Sequence, residues 1–414
     1  VETVRKTYRE KLKPTPAQER ELERTLGRCR TLYNTALEQR IFRWRQRGVS
    51  TSRYQQEAEL KDVRASIAEY GDIHSHVLQD VLARLEKTYQ AFFRRVATGE
   101  HPGFPRFHGK DRYHSFTYKE FGNGARHDNG YLVLSKIGRI AVRWSRPVEG
   151  TIKMVTISPE ADGWYVSFSC AEVPTQPLPL TGRETGIDVG LKVFLVTADG
   201  DIVENPRHYR TAERELKKAN QRVARPKRGS HRRAKAVQQC AKQHQHVRRQ
   251  RQDFHHKTAL ALVREYDVIS VEAIQAANLS RRPAPKQDEN GGYEHNGASQ
   301  KAGLNKSIQD AGWRHFLTIL AFKAACAGKR VEAVPPAYTS QDCSGCGKRI
   351  QKSLSVRTHV CTNCGLILDR DENAVRNILW RGQRLRGVPA MAAAMNREPV
   401  GLQPLQSVRK PGSW

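Results

Sequence analysis

Four cysteines stand close enough in the chain to hold a single metal ion. Cys343 and Cys346 form one C-x2-C knuckle and Cys361 and Cys364 a second, with 14 residues between the pairs. Each knuckle sets two thiolates at the tip of a tight turn, and the trailing Gly347 and Gly365 let the backbone fold around an ion. Four thiolates close a tetrahedral shell, which suits a structural Zn²⁺ and leaves no open position for catalysis. An iron–sulfur cluster or a redox pair fits this ribbon-like spacing less well. Cys29, Cys170, Cys240 and Cys326 are scattered singly and read as ordinary reduced thiols, so no disulfide framework is implied.

A second constellation is made of carboxylates. Hydrolysing a phosphodiester with two divalent metals needs acids that converge from separate elements, because each ion must touch both attacking and leaving oxygens. Asp188 stands in Gly186-Ile-Asp-Val-Gly190, where a strand would turn it away from Ile187 and Val189. The flanking glycines allow a backbone or a ligand to come close. Glu272 ends the apolar run Val268-Ile-Ser-Val, and Asp371 lies near the start of a helix whose Ala374, Ile378 and Leu379 point inward. Taken singly, each acid has an ordinary structural role: a turn residue, a strand-end charge, a helix cap. Asp369 competes with Asp371 for the cap. As a set, inside a very basic chain, they are far more specific.

The charge is the third signal. In 414 residues, 71 Lys and Arg stand against 42 Asp and Glu, a formal charge of +29. A polyanion relieves such repulsion by binding and releasing counterions, so nucleic acid is the expected partner. The basic residues cluster: Arg222, Arg225, Lys227, Arg228, Arg232, Arg233 and Lys235 lie together, as do Arg248, Arg249 and Arg251. As clusters they favour phosphate contacts, although any one of them could be a solvated helix residue. No apolar run reaches the length of a membrane span and no secretory signal is visible, which points to the cytoplasm or nucleoid.

Several elements must position these groups. Val1–Leu12 reads as a strand. Thr15, Pro16 and Gln18 then make a helix start with a capping box, and residues 15–97 form a helical block. After the turn-rich segment His101–Phe107, β-like runs begin at Tyr131, Arg139, Thr151 and Trp164, as in an antiparallel barrel or sandwich. A linker starts at Thr175. Beyond it the pattern becomes βαβ-like: the strand holding Asp188 is expected to turn through Ala198–Gly200 into a second strand. A basic helical pair follows at about 206–265, broken at Pro226 and Gly229-Ser230, then the buried strand of Glu272. The polar segment 279–303 has no apolar period and is expected to be mobile. A helix from Asp310 and a strand at Arg330 complete the pattern.

The order Gly-Ile-Asp-Val-Gly, Val-Glu, two knuckles, then Asp369-Arg-Asp-Glu-Asn-Ala-Val-Arg-Asn-Ile378 resembles the split RuvC nuclease of the TnpB family. Tyr338-Thr-Ser-Gln-Asp-Cys343 is similar to that family's approach to its zinc ribbon. Pro14-Thr-Pro-Ala-Gln18, Tyr33-Asn34, the Tyr89/Phe92-Phe93 helix and Gly103-Phe-Pro-Arg-Phe107 extend the likeness over residues 1–380.

The resemblance implies an α+β multidomain chain. A β-barrel wedge domain (1–14 and 98–176) would carry an inserted helical recognition domain (15–97). An RNase H-like RuvC domain (182–337 and 366–384) would carry the zinc ribbon (338–365). The tail at 385–414 matches no motif of the family and, being low in pattern, reads as disordered. The resemblance implies Asp188, Glu272 and Asp371 as the catalytic set, binding two Mg²⁺ ions. It also implies a guide RNA from the transposon end and a double-stranded DNA target read by base pairing next to a short motif. A monomer is favoured, but the sequence does not give the oligomeric state. Asp371 is preferred to Asp369 because the family's acid directly precedes the x-Asn-Ala phrase. A guided repressor without cleavage and a CRISPR-associated effector share this architecture. A transposase that itself transfers strands is disfavoured by the lack of a Tyr nucleophile with a paired-His motif.

Overall fold

The computed structural model describes residues 2–353 and 356–387, in two compact units divided between Pro174 and Thr175. No helix among the described residues is long and apolar enough to cross a membrane.

The first unit opens with β1 (Thr3–Lys13), followed by α1 (Pro16–Arg47), α2 (Arg53–Ser66), α3 (Ala68–Gly71) and α4 (Ser75–Ala97). The expected capping box is present: the Thr15 hydroxyl accepts from the Gln18 amide, and the Gln18 side chain accepts from the Thr15 amide. The chain then adds β2 (Phe116–Tyr118), β3 (Ala125–Asp128), β4 (Tyr131–Leu134), β5 (Gly138–Arg143), β6 (Thr151–Glu160) and β7 (Gly163–Pro174). All seven strands form one antiparallel, barrel-like sheet in the order β2-β6-β7-β1-β5-β4-β3. The N-terminal strand therefore lies inside the sheet, between β7 and β5, and the helices α1–α4 are an insertion after it. In β7 the residues Trp164, Val166, Phe168 and Cys170 alternate into the core, the period-2 pattern that marks the run in the sequence. Strands β2 and β3, of three and four residues, are too short to have been read.

The second unit is built on a five-stranded sheet. Its strands are β8 (Glu184–Val189), β9 (Val193–Thr197), β10 (Ile202–Glu204), β11 (Val268–Glu272) and, after the intervening helices, the strand Arg330–Val334. The basic pair comprises α5 (His208–Ala224) and α6 (His231–Glu265), broken where Pro226 and Gly229 stand. Beyond β11 come α7 (Ala276–Leu279), a small hairpin of β12 (Lys286–Gln287) and β13 (Tyr293–Glu294), α8 (Ala298–Ala311), α9 (Trp313–Cys326) and β14 (Arg330–Val334). The sheet order is β10-β9-β8-β11-β14, with β8, β11 and β14 parallel and β9 antiparallel to its neighbours. The ribbon hairpin, β15 (Thr358–Val360) with β16 (Ile367–Asp369), leads into α10 (Arg370–Leu385).

Two expectations need correction, and one polar segment holds more regular structure than its pattern suggested. The first turn after β8 lies at Gly190–Lys192, where the Gly190 amide donates to the Phe194 carbonyl; Ala198–Gly200 is the next turn, leading to β10. Val193–Thr197 is a strand in its own right that a single apolar run had concealed. The segment 279–303 holds the β12–β13 hairpin and the start of α8, built by local Asp288 and Asn296 hydrogen bonds that leave no apolar period to read. The helix expected from Asp310 is two helices broken at Gly312, whose φ of 63° is a left-handed conformation that glycine adopts freely. Of the expected tail, residues 388–414 lie outside the described residues.

Candidate active site and metal centre

The parallel register of the second sheet brings two of the acids together. Val271 of β11 pairs with Ile187 of β8, so Glu272 and Asp188 extend side by side from the carboxyl ends of adjacent strands. Ile187 and Val189 are buried on one face while Asp188 turns to the other. Asp371 arrives from α10, whose Ala374, Val375 and Ile378 pack inward. Two glycines let the helix lie against the strands. A Cβ on Gly186 would stand 2.4 Å from the Val375 carbonyl oxygen and 2.7 Å from the Leu379 nitrogen. At the other end of the helix, a Cβ on Gly382 would stand 1.9 Å from the Ser270 hydroxyl. Arg386 ties that end to Glu184 and Glu332, each at 2.5 Å.

The three acids feel one another. Burial first, and then the charges of Glu272 and Asp371, push the Asp188 carboxyl up to about 8, with Arg370 opposing. Glu272 is also raised by burial, against the Thr339 hydroxyl that donates to it and the nearby Arg381 charge. Asp371 accepts from Arg357, at 3.0 and 3.2 Å, and from Arg370 at 3.3 Å. The helix cap is Asp369, whose Oδ1 accepts from the Asp371 amide at 2.8 Å. The carboxylate of Asp371 is thereby left for contacts outside the helix. A cluster of half-buried acids is the donor set that hard divalent cations such as Mg²⁺ take.

The four cysteines of the ribbon converge, with their sulfur atoms all within 4.8 Å of one another. Cys343 and Cys364 are 3.6 Å apart, as are Cys346 and Cys361. These separations are too long for disulfides and close to the ~3.8 Å edge expected of a tetrahedron with Zn–S bonds of about 2.3 Å. The knuckles are matched: Gly347 donates to the Cys343 carbonyl at 2.8 Å and Gly365 to the Cys361 carbonyl at 3.0 Å. The amides of Cys364 and Asn363 draw the Cys361 thiol down to about 6, whereas burial pushes Cys343 up to about 12. The donor set fits a closed structural metal site.

Side chains on one face of α10 join the two centres. Buried Asn373 accepts from the Ser344 amide at 2.9 Å and donates to the Asp342 carbonyl at 2.8 Å. Asn377, one helical turn on, donates to the carbonyls of Thr339 and Asp342. Arg381 donates to the carbonyls of Pro335 and Ala337 and to the Asp342 carboxylate. The Asn-Ala-x-x-Asn spacing, one helix face by periodicity, was the available signal.

The basic clusters separate on inspection. Arg222, Arg225, Lys227, Arg228, Arg232, Lys235, Arg248 and Arg249 are exposed along α5, α6 and their turn. Arg233 instead braces that turn by donating to the Val223 carbonyl at 2.6 Å, and Arg251 donates to the Gln309 carbonyl.

Known proteins share both units. Three family patterns match, described as a "Helix-turn-helix domain" (residues 4–49), a "Probable transposase" (167–282) and a "Cas12f1-like, TNB domain" (313–378). The first spans β1 and the single helix α1 here. A Streptomyces pristinaespiralis protein named as an RNA-guided DNA endonuclease is 32% identical over 391 residues, 92% of this chain and 90% of its own. The chain belongs to the TnpB family. An Escherichia coli relative of the family, the RNA-guided DNA endonuclease InsQ, is 28% identical over 97% of this chain and 98% of its own. The fold is also similar to a Cas12f1 chain from a complex with sgRNA and target DNA. That likeness has a TM-score of 0.54 and 11% identity, over 91% of this chain and 98% of the other.

Proposed function

We propose that this TnpB-family chain is an RNA-guided, Mg²⁺-dependent DNA endonuclease of an insertion sequence, cutting target DNA beside a short motif. The observation that carries the reading is the convergence of Asp188, Glu272 and Asp371 from β8, β11 and α10. The sheet order, with one antiparallel strand beside three parallel ones, is consistent with an RNase H-like RuvC fold. In this reading residues 182–337 and 366–384 are the nuclease, 338–365 a zinc ribbon, 1–14 and 98–176 the wedge, and 15–97 the recognition domain.

Bound Mg²⁺, two ions in this proposal, would activate the attacking water and stabilise charge on the leaving oxygen. The chain's own residues hold and orient. Asp188, Glu272 and Asp371 would be the ligands, and Thr339 fixes the Glu272 carboxylate through its hydroxyl. Arg357 and Arg370 balance the charge of Asp371. Zn²⁺ on Cys343, Cys346, Cys361 and Cys364 would keep the segment carrying Thr339 and Arg357 in shape. Arg222, Arg225, Lys227, Arg228, Arg232, Arg248 and Arg249 would follow phosphates of the guide RNA or target, while Arg233 and Arg251 are given to bracing.

The test is cleavage by protein purified with RNA expressed from its own flanking DNA, acting on plasmids with randomised target-adjacent sequence in Mg²⁺. Guide-dependent cutting that disappears in Asp188→Ala is expected. RNA-dependent binding without cutting would assign a guided repressor instead, and no bound RNA at all would refute the reading.

A further inference from the structure

Aromatic residues are sparse in this chain, at 7%, yet several gather on the surface of the first unit. Phe93 is 60% exposed, Phe104 48% and Phe107 52%. Phe93 lies in the last turns of α4; Phe104 and Phe107 lie in the segment that follows, which has no regular structure. Phe93 and Phe104 belong to a connected group with Tyr89 and Phe92. Phe92 meets Phe104 at 5.3 Å and 81° and Phe93 at 5.2 Å and 65°, and Tyr89 meets Phe104 at 5.9 Å and 84°. Tyr89 stacks on one side of Phe93 at 6.2 Å and 29°, while the other contacts are edge-on, and Phe93 and Phe104 are the exposed members of the group.

The segment is held in place. The Asn34 side chain donates to the His108 carbonyl at 3.0 Å and accepts from the His108 amide at 2.8 Å, fixing the strand of backbone that carries both phenylalanines. Exposed phenyl groups on a pinned segment cost free energy in the isolated chain, so their retention points to a ligand with flat apolar faces. The rim supplies the sign of that ligand's charge. Arg94 and Arg95 follow Phe93 in the chain and Arg106 lies between Phe104 and Phe107, and none of the three forms an ion pair among the described residues. On α4 itself, Glu86 is held by Arg40 at 2.8 Å.

We infer that Phe93, Phe104 and Phe107, rimmed by Arg94, Arg95 and Arg106, form a stacking platform for unpaired bases of the guide RNA. Every base has a π-face, so such a platform tolerates any sequence, and the arginines take the phosphates. The inference rests on the proposed RNA-guided reading, since it needs an RNA partner with unpaired nucleotides.

The experiment compares binding of the full chain, freed of RNA, to fluorescein-labelled oligouridine and to the same oligomer with abasic riboses. Phe93→Ala with Phe104→Ala is expected to weaken oligouridine binding about ten- to a hundredfold and leave the abasic oligomer unaffected. Phe93→Leu with Phe104→Leu keeps apolar bulk and is expected to behave alike, which separates stacking from packing. An equal loss on both oligomers, or no loss on either, would overturn the platform. So would loss confined to anionic phosphatidylserine vesicles tested in parallel. Wild-type chain that binds neither oligomer at low salt would overturn the RNA-guided reading beneath it; wild-type binding with unaltered variants would overturn the platform alone.

Discussion

Replacing Gly186 by alanine tests whether the approach of α10 to β8 sets the proposed active site. The new methyl would lie 2.4 Å from the Val375 carbonyl oxygen and 2.7 Å from the Leu379 nitrogen, both backbone atoms of a helix that cannot yield by changing a rotamer. Ordinary contact requires about 3.4 Å or more, so the helix must retreat by roughly 1 Å. Overpacking of this kind costs about 1–3 kcal/mol. Asp371 sits one turn before Val375 on the same helix, so the retreat carries it away from Asp188 and Glu272. A misplacement near 1 Å in a reacting constellation costs about a hundredfold in rate. Urea unfolding of the purified chain should show the stability loss, and single-turnover cleavage with saturating guide RNA and target should show the slower chemistry. Wild-type stability together with a wild-type cleavage rate would refute the argument, because it would mean the close approach is not what fixes the helix.

The same substitution at Gly27, inside α1 with nothing within 4 Å of its would-be Cβ, should stabilise the chain by up to ~1 kcal/mol in the same urea assay. At Asp267, burial raises the carboxyl, but the Thr181 amide, the Lys329 ammonium and the Gly182 amide outweigh it and hold it at about 2. A depressed carboxyl stabilises above its unfolded value near 3.9 and loses that contribution as pH falls through the folded value. The wild-type advantage over Asp267→Asn, about 3 kcal/mol because the variant strands a Lys329 side chain that is 1% exposed, should therefore be flat above pH ~5 and shrink between pH ~4 and ~2. Cys361→Ser should reduce bound zinc, measured by atomic absorption, from one ion per chain to a small fraction of that. Asn373→Ala leaves the Ser344 amide and Asp342 carbonyl without partners and should cost about 2 kcal/mol, with faster hydrogen exchange at the Ser344 amide.

What the sequence disclosed depended on whether a local pattern carried the information. The capping box at Thr15, the alternation in β7 and the two knuckles are written in neighbouring residues, and each is found where it was read. The short strands β2 and β3 carry no such pattern, since three or four residues cannot establish a period. The split of the helix at Gly312 was hidden because apolar spacing continues across it; only the backbone angle reveals the break. The pairing of Glu272 with Asp188 is a matter of register between strands some 80 residues apart in the chain, which no local pattern states. The carboxylates could be named as candidates by type and order, whereas Thr339, Arg357 and Arg381 could not, because their roles arise only when the ribbon folds back onto α10.

That fold-back gives the cysteine cluster a part in the site without any catalytic position of its own. One face of α10 packs on the sheet through Gly186 and Gly382, while Asn373, Asn377 and Arg381 grip the backbone between Pro335 and Ser344. The first knuckle begins within that gripped stretch, at Cys343, and the second ends just before β16 and the start of α10. The ribbon is therefore anchored to one helix at both ends. Arg357, on the approach to β15, reaches Asp371, and Thr339 reaches Glu272. Loosening the cysteines would free both of these partners while leaving the strands that carry Asp188 and Glu272 paired, so metal loss at the ribbon should impair chemistry before it unfolds the sheet.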